Sequence, residues 1–216
     1  MGTSAGLRSN LSWPLMGGGQ AGHFNQLCST EHLFATWDKF KRGKSARPDV
    51  QKFELRLEEN IFKLQADLIN GCYQHSNYEP FIVHDPKKRQ IHKAPVRDRL
   101  LHQAVVDIVE PFFERQFLFD SFSCRRGKGT HAGVRRLRQF LRQASQNNTR
   151  TVYGLKCDIK QFFASVDHAE LLNLLSIQIT DERLRTLLKD IIDSFSVTPS
   201  RGIPLGNVTS QLFANV

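Results

Sequence analysis

The run Tyr153-Gly-Leu-Lys-Cys-Asp158-Ile-Lys-Gln-Phe-Phe163-Ala-Ser-Val-Asp167-His168 sets one carboxylate a few residues ahead of two aromatics. Read with period two, Tyr153, Leu155, Cys157 and Ile159 share one face and Val152, Gly154, Lys156 and Asp158 the other. The spacing predicts a strand whose C-terminal end carries Asp158, turned away from the apolar side. A carboxylate there, with the carbonyl of Ile159, offers hard oxygen ligands of the kind magnesium takes. Nucleotidyl transfer by two ions about 3.5–4 Å apart needs more than one carboxylate, so Asp158 alone cannot hold both. The same residues also read as a strand entering a turn, with Asp158 as turn residue or cap and Phe162 and Phe163 in a core.

The elements around this run must supply phosphate contacts if it is a site. Lys87-Lys-Arg89-Gln-Ile-His-Lys-Ala-Pro95-Val-Arg97-Asp98-Arg99 reads as a strand up to Ala94 and a helix from about Arg97, since Pro95 holds the residue before it extended. Leu101, Val105, Ile108 and Phe112 give that helix an apolar stripe. Arg89 and Arg97 at the corner are candidate phosphate ligands, because guanidinium matches phosphate oxygens and stays charged. An Asp98–Arg99 ion pair and a solvated basic turn are the plainer reading. Ser121-Phe-Ser-Cys124-Arg125-Arg126-Gly127-Lys128-Gly129-Thr130 follows, with Thr130 a candidate cap for a helix whose Arg135, Arg136, Arg138 and Arg142 lie away from Val134, Leu137 and Leu141. Arg125, Arg126, Lys128, Arg135 and Arg138 are the candidate nucleic-acid contacts. In Arg201-Gly202-Ile-Pro204-Leu205-Gly206-Asn207-Val-Thr209-Ser210-Gln211, Gly202 and Pro204 predict a turn, Gly206 a close backbone approach, and Thr209 or Ser210 a helix cap.

In this order the segments resemble the fingers and palm motifs of reverse transcriptases of the bacterial retroelement type. The resemblance runs from about residue 50 to 216. It implies an α+β right-hand polymerase with a helical N-terminal part, and RNA-directed DNA synthesis with magnesium, deoxynucleoside triphosphates, an RNA template and a DNA or RNA primer, with an accessory protein possible. By resemblance Asp158 and the Ile159 carbonyl bind metal, and Phe163 lies beneath the incoming sugar and excludes a 2′-hydroxyl. Arg89, Arg97 and Gly206 belong to the nucleotide site on the same ground. Leu205 and Gln211 stand where most such enzymes have Gln and Pro; this form resembles diversity-generating retroelements and related unclassified lineages rather than group II intron maturases or retrons. The family's Tyr- or Phe-x-Asp-Asp hairpin, primer grip and thumb are not found before Val216. The expectation is therefore a chain cut short of its catalytic hairpin and inactive alone, or else a non-catalytic nucleic-acid-binding fragment.

Composition agrees. The chain carries 30 Lys plus Arg against 21 Asp plus Glu, a net charge of +9. Between His84 and Arg142 there are 14 basic and 6 acidic residues, which places most of the excess on the candidate phosphate-binding segments. That concentration suits a polyanion partner and salt-sensitive binding. Cys28, Cys72, Cys124 and Cys157 lack the paired spacing of a zinc site, so reduced thiols and a cytoplasmic location are expected. No apolar run approaches the length of a membrane span, and none follows Arg8 as a signal peptide would require.

The expected division is an irregular leader over 1–25, a helical segment over 26–80, and fingers with partial palm over 81–216. In the second, Ser29 to Phe40 reads as a helix, Lys39 to Arg47 as a basic linker, and Phe53, Leu57, Ile61, Leu64 and Leu68 as one amphipathic helix ending near Gly71. Asp167 with Glu170 reads as a capping box for the helix through Leu175, and Asp181 and Asp193 flank another.

Overall fold

The computed structural model describes residues 22–84 and 87–216. The expected leader lies outside the described residues as far as residue 21, and from Gly22 the chain is already helical, in α1 (Gly22–Leu27). Ser29 caps α2 (Thr30–Phe40) by accepting from the His32 N–H at 3.2 Å, as its residue type favours. The apolar stripe expected as one helix is two, α3 (Pro48–Glu54) and α4 (Leu57–Ile69), broken at Leu55 and Arg56. Leu55 is left exposed at the break, while Val50, Ile61, Leu64 and Leu68 are buried on either side of it. Gly71 follows α4 with φ +67°, the left-handed stop its type permits.

Strands β1 (Glu79–His84) and β2 (Lys88–Lys93) pair antiparallel, Glu79 opposite Lys93 and His84 opposite Lys88. They are the only sheet among the described residues. Pro95 then stands at the N-cap of α5 (Val96–Glu114), which tolerates Pro111 within it. Helix α5 is the axis of the core. Leu100, Leu101, Ala104, Val105 and Val109 are fully enclosed, with α2 against one side and α10 (Val208–Phe213) against another. Each large aliphatic side chain so enclosed contributes roughly 1.5–3 kcal/mol. The rings of Trp37, Phe40 and Phe53 fill the α2–α3 junction.

Helix α6 (Thr130–Ala144) buries none of its residues. Its N-cap is Gly129 rather than Thr130, and no side chain caps it. The short α7 (Phe162–Ser165), then α8 (His168–Gln178) and α9 (Glu182–Asp193), complete the order. Asp167 and Asp181 cap α8 and α9 by accepting from the N–H groups of Ala169, Glu170 and Leu184. At α10 the N-cap is Asn207, and the expected caps Thr209 and Ser210 are buried inside the helix.

The strand expected over residues 152–159 does not form. The segment is irregular and exposed, with Tyr153 92 % and Leu155 91 % accessible. A strand exists only as part of a ladder, and no neighbouring strand lies beside this segment among the described residues. No described helix is long and apolar enough to cross a membrane.

Candidate functional site

The loop from Ser200 to Asn207 joins two segments far apart in sequence. On one side the Gly202 N–H donates to the Val166 carbonyl and the Ile203 N–H to the Phe163 carbonyl, both at 2.8 Å, while the His168 N–H donates to Ser200 at 3.0 Å. The His168 ring adds a bond from Nε2 to the Gly202 carbonyl at 2.8 Å, and Arg201 reaches Asp167 at 3.4 Å. On the other side the His92 N–H donates to the Leu205 carbonyl at 3.0 Å, and the Asn207 amide donates to the His92 carbonyl at 2.9 Å. The loop thus bonds the outer edge of β2 at His92 on one side and the end of α7 on the other.

Two glycines make this closure possible. Gly202 has φ +106°, and a Cβ there would lie 2.9 Å from Val197 Cγ2. Gly206 has φ +103°, and a Cβ there would lie 2.6 Å from Ile91 Cγ2 on β2. Both need the backbone freedom and the absent side chain of glycine. Asp167, at the same seam, is held below the usual carboxylate range by the N–H of Glu170, then that of Ala169 and the charge of Arg201.

Phe163 begins the clamped segment, half-buried against the core and edge-on to Phe162 at 5.6 Å. Gln161 precedes it with φ +53°. Asp158 and Ile159 stand just upstream, both exposed. Their carboxylate and carbonyl are donors of the type magnesium takes. Among the described residues no group of three or more His, Cys, Asp or Glu could hold a metal ion. One carboxylate and one carbonyl fall short of a two-ion set, so these residues by themselves do not fit such a centre.

The two corner arginines differ. Arg89 is exposed on β2, opposite Val83. Arg97 is tied inward, with Nη2 2.7 Å from Asp67, Nη1 donating to the Gln74 carbonyl at 3.3 Å, and the guanidinium over the Tyr73 ring. The considered Asp98–Arg99 pair is absent. Arg99 and Lys93 both hold Asp49, at 2.5 and 2.7 Å, and these cations draw the Asp49 carboxyl below its usual range against the opposing effect of burial.

Asp98 is fully buried and accepts from Tyr73 Oη at 2.8 Å and the Ser76 N–H at 3.3 Å. Beside it His75 Nε2 lies 3.1 Å from His102 Nε2, and His75 Nδ1 lies 2.6 Å from the Ser76 carbonyl. A carbonyl can only accept, so His75 carries its proton on Nδ1 and presents a lone pair at Nε2. His102 must then donate from Nε2, which leaves its buried Nδ1 an acceptor with no protein partner. Burial pushes His102 down to about 3 and lowers His75 as well. His102 is a functional candidate that sequence reasoning missed; its spacing on the buried face of α5 was the available signal.

The glycine-rich turn is organised by Arg125. Its side chain is 6 % accessible and is saturated by Glu114 at 2.6 Å and the carbonyls of Leu118 and Ser121 at 2.7 and 3.0 Å. The expected nucleic-acid contact therefore falls on a guanidinium already occupied in shaping the turn. Arg126 is open, 73 % accessible, though it leans on Asp107 and Glu110. Lys128 donates to the Phe119 carbonyl and sits over the Phe119 ring.

Along α6, Arg136 is held by Asp120, whereas Arg135, Arg138 and Arg142 line an open groove with Gln139, Gln143 and Asn147. The groove ends in a turn whose Gln146, Asn147 and Asn148 all have left-handed φ, from +47° to +67°. Ser145 secures that turn, its hydroxyl accepting from the Asn148 N–H at 2.8 Å and its carbonyl from the Thr149 and Arg150 N–H groups at 2.9 Å.

The family model described as reverse transcriptase (RNA-dependent DNA polymerase) matches residues 84–216. Protein YkfC of Escherichia coli K12 is 26% identical over 171 residues, 76% of this chain and 44% of that protein. The group II intron-encoded protein LtrA of Lactococcus lactis subsp. cremoris is 24% identical, covering 74% of this chain and 27% of its own length. The chain thus spans less than half the length of these relatives. Among solved structures, a chain of a partial Cas6-RT-Cas1–Cas2 complex superposes with a TM-score of 0.59 at 20% identity, over 89% of this chain and 33% of that one. With more than half its length matched by the family model, and with two of the motif-bearing segments, at His92 and at Phe163–His168, joined by one hydrogen-bonded loop, the chain belongs to the reverse transcriptase family.

Proposed function

We propose that this chain forms the fingers and first part of the palm of an RNA-directed DNA polymerase. It would hold an RNA template with a DNA or RNA primer and a deoxynucleoside triphosphate. The observation that supports this best is the Ser200–Asn207 loop, which ties the fingers strand at His92 to the Phe163 segment just beyond Asp158. Magnesium, when bound, would activate the primer hydroxyl and stabilise the leaving pyrophosphate. Asp158 and the Ile159 carbonyl would supply part of its ligand set. Phe163 would bar a 2′-hydroxyl by bulk, and Gly206 would keep the backbone close to β2 beside the nucleotide. Arg89 would meet phosphate directly. Arg97 would do so only by exchanging Asp67 for the ligand, and otherwise steadies the corner. Arg126, Lys128, Arg135 and Arg138 would contact nucleic-acid phosphates, with Arg125 shaping the turn that presents the first two.

A second reading, nucleic-acid binding without transfer, draws on the lone carboxylate of Asp158. Primer extension on an RNA template with magnesium separates the two. Deoxynucleotide incorporation abolished by Asp158→Ala supports the polymerase reading; salt-sensitive binding with no incorporation supports the second.

A further inference from the structure

We propose that the groove of about 370 Å³ along α6 is an RNA-strand cradle that grips successive phosphates with Arg135, Arg138 and Arg142 and reads the sugar with Gln143 and Asn147. This rests on the nucleic-acid reading above and gives it a place and a ligand class.

Three observations carry it. No carboxylate lines the groove, whereas the neighbouring Arg125 and Arg136 each pair with one and Arg126 with two. Exposed charges arranged in this way are left for a ligand that brings its own negative charge. The spacing also suits a polyphosphate. Residues 135, 138 and 142 span seven helical steps, roughly 10 Å of axis at 1.5 Å per residue. One strand of a duplex presents a phosphate about every 3.4 Å of axis, so that span faces about three of them. The third observation concerns the carboxamides. Gln139 Oε1 accepts from Arg136 at 2.9 Å, which turns its amide into a further donor for phosphate. Asn147 is brought beside the arginines by the left-handed turn, and Gln143 lies one helical turn after Gln139. A carboxamide both donates and accepts, as does a ribose 2′-hydroxyl, which DNA lacks. The arginines would therefore supply affinity without regard to sequence, and the amides a preference for RNA.

Fluorescence anisotropy with labelled RNA and DNA oligonucleotides of one sequence, across a salt series, tests this. The triple change Arg135→Gln, Arg138→Gln, Arg142→Gln is expected to make the slope of log affinity against log salt shallower by about 2, from about 0.7 per single-strand phosphate contact. Gln143→Leu with Asn147→Gly, the glycine preserving the positive φ, is expected to erase the preference for RNA and leave the slope unchanged. These side chains are solvent-facing, and circular dichroism checks that the helices persist. An unchanged slope in the triple variant, with binding weakened instead by Arg126→Ala and Lys128→Ala, overturns the cradle and leaves the nucleic-acid reading standing. Equal affinity of the parent chain for RNA and DNA overturns the sugar reading. Absence of binding to either overturns both proposals.

Discussion

Replacing Gly206 with alanine tests the seam between the fingers strand and the loop at a single atom. The new Cβ would meet Ile91 Cγ2 at 2.6 Å, well inside van der Waals contact, at a φ of +103° that side chains avoid. A strained backbone conformation costs about 1–3 kcal/mol, and overpacking at a filled site typically costs another 1–3. Because Cγ2 belongs to a β-branched side chain, Ile91 can retreat only by changing rotamer or by moving β2. A total of about 2–6 kcal/mol is expected. Urea or thermal unfolding reads it directly, with roughly 2–4 °C lost per kcal/mol for a chain of this size. The second arm is the double change Gly206→Ala with Ile91→Ala. Compared with Ile91→Ala alone, adding the Gly206 change should cost only the backbone part, about 1–3 kcal/mol, because the clash is gone. Should Gly206→Ala be as stable as the parent within about 0.5 kcal/mol, the loop does not sit on β2 as described.

Tyr73→Phe leaves buried Asp98 without its 2.8 Å donor and should lower stability by about 1–3 kcal/mol, read by urea unfolding. Acid should also destabilise the fold. His75 and His102 are lowered in the folded chain, so the unfolded chain binds protons first, and the stability they contribute is complete above about pH 6.5 and lost as pH falls towards 3. Unfolding free energies at a series of pH values should flatten over that window in His102→Asn, with up to about 1.4 kcal/mol per pH unit at stake per proton. An unaltered slope would show that the His75–His102 contact is not the origin. Arg125→Ala should accelerate amide exchange through residues 118–128 because the carbonyls of Leu118 and Ser121 lose their donor, whereas Arg126→Ala should leave exchange alone and weaken RNA binding.

The features legible in the sequence were those whose cause is local. Ser29, Asp167 and Asp181 cap helices because their short oxygens reach the next N–H groups, and Gly71 stops α4 by accepting a left-handed φ. Pro95 marks the entry to α5 for an equally local reason. The features that escaped depend on distant partners. Nothing near Arg97 announces Asp67, thirty residues upstream, or that Arg125 would turn back to Glu114. Thr130 and Thr209 are the right residue types for caps, but the N-caps fall one and two residues earlier, at Gly129 and Asn207, and leave the threonine side chains within the first turn. The alternation over residues 152–159 is real, yet period two specifies only which faces a strand would have. Without a neighbour to take its N–H and C=O groups the segment stays irregular. The candidate site was legible as a set of motifs; the loop that joins them was visible only as two glycines and a proline.

The most direct test of the central claim is incorporation of labelled deoxynucleotide onto a primer on an RNA template, by a longer polypeptide that contains this chain together with the remaining metal ligands, with and without Asp158→Ala. The expected result is that the change abolishes incorporation while the template–primer is still bound and the unfolding midpoint is unmoved, since Asp158 is exposed. Incorporation that survives Asp158→Ala at the parent rate would contradict the assignment of this carboxylate, and with it the reading of the site.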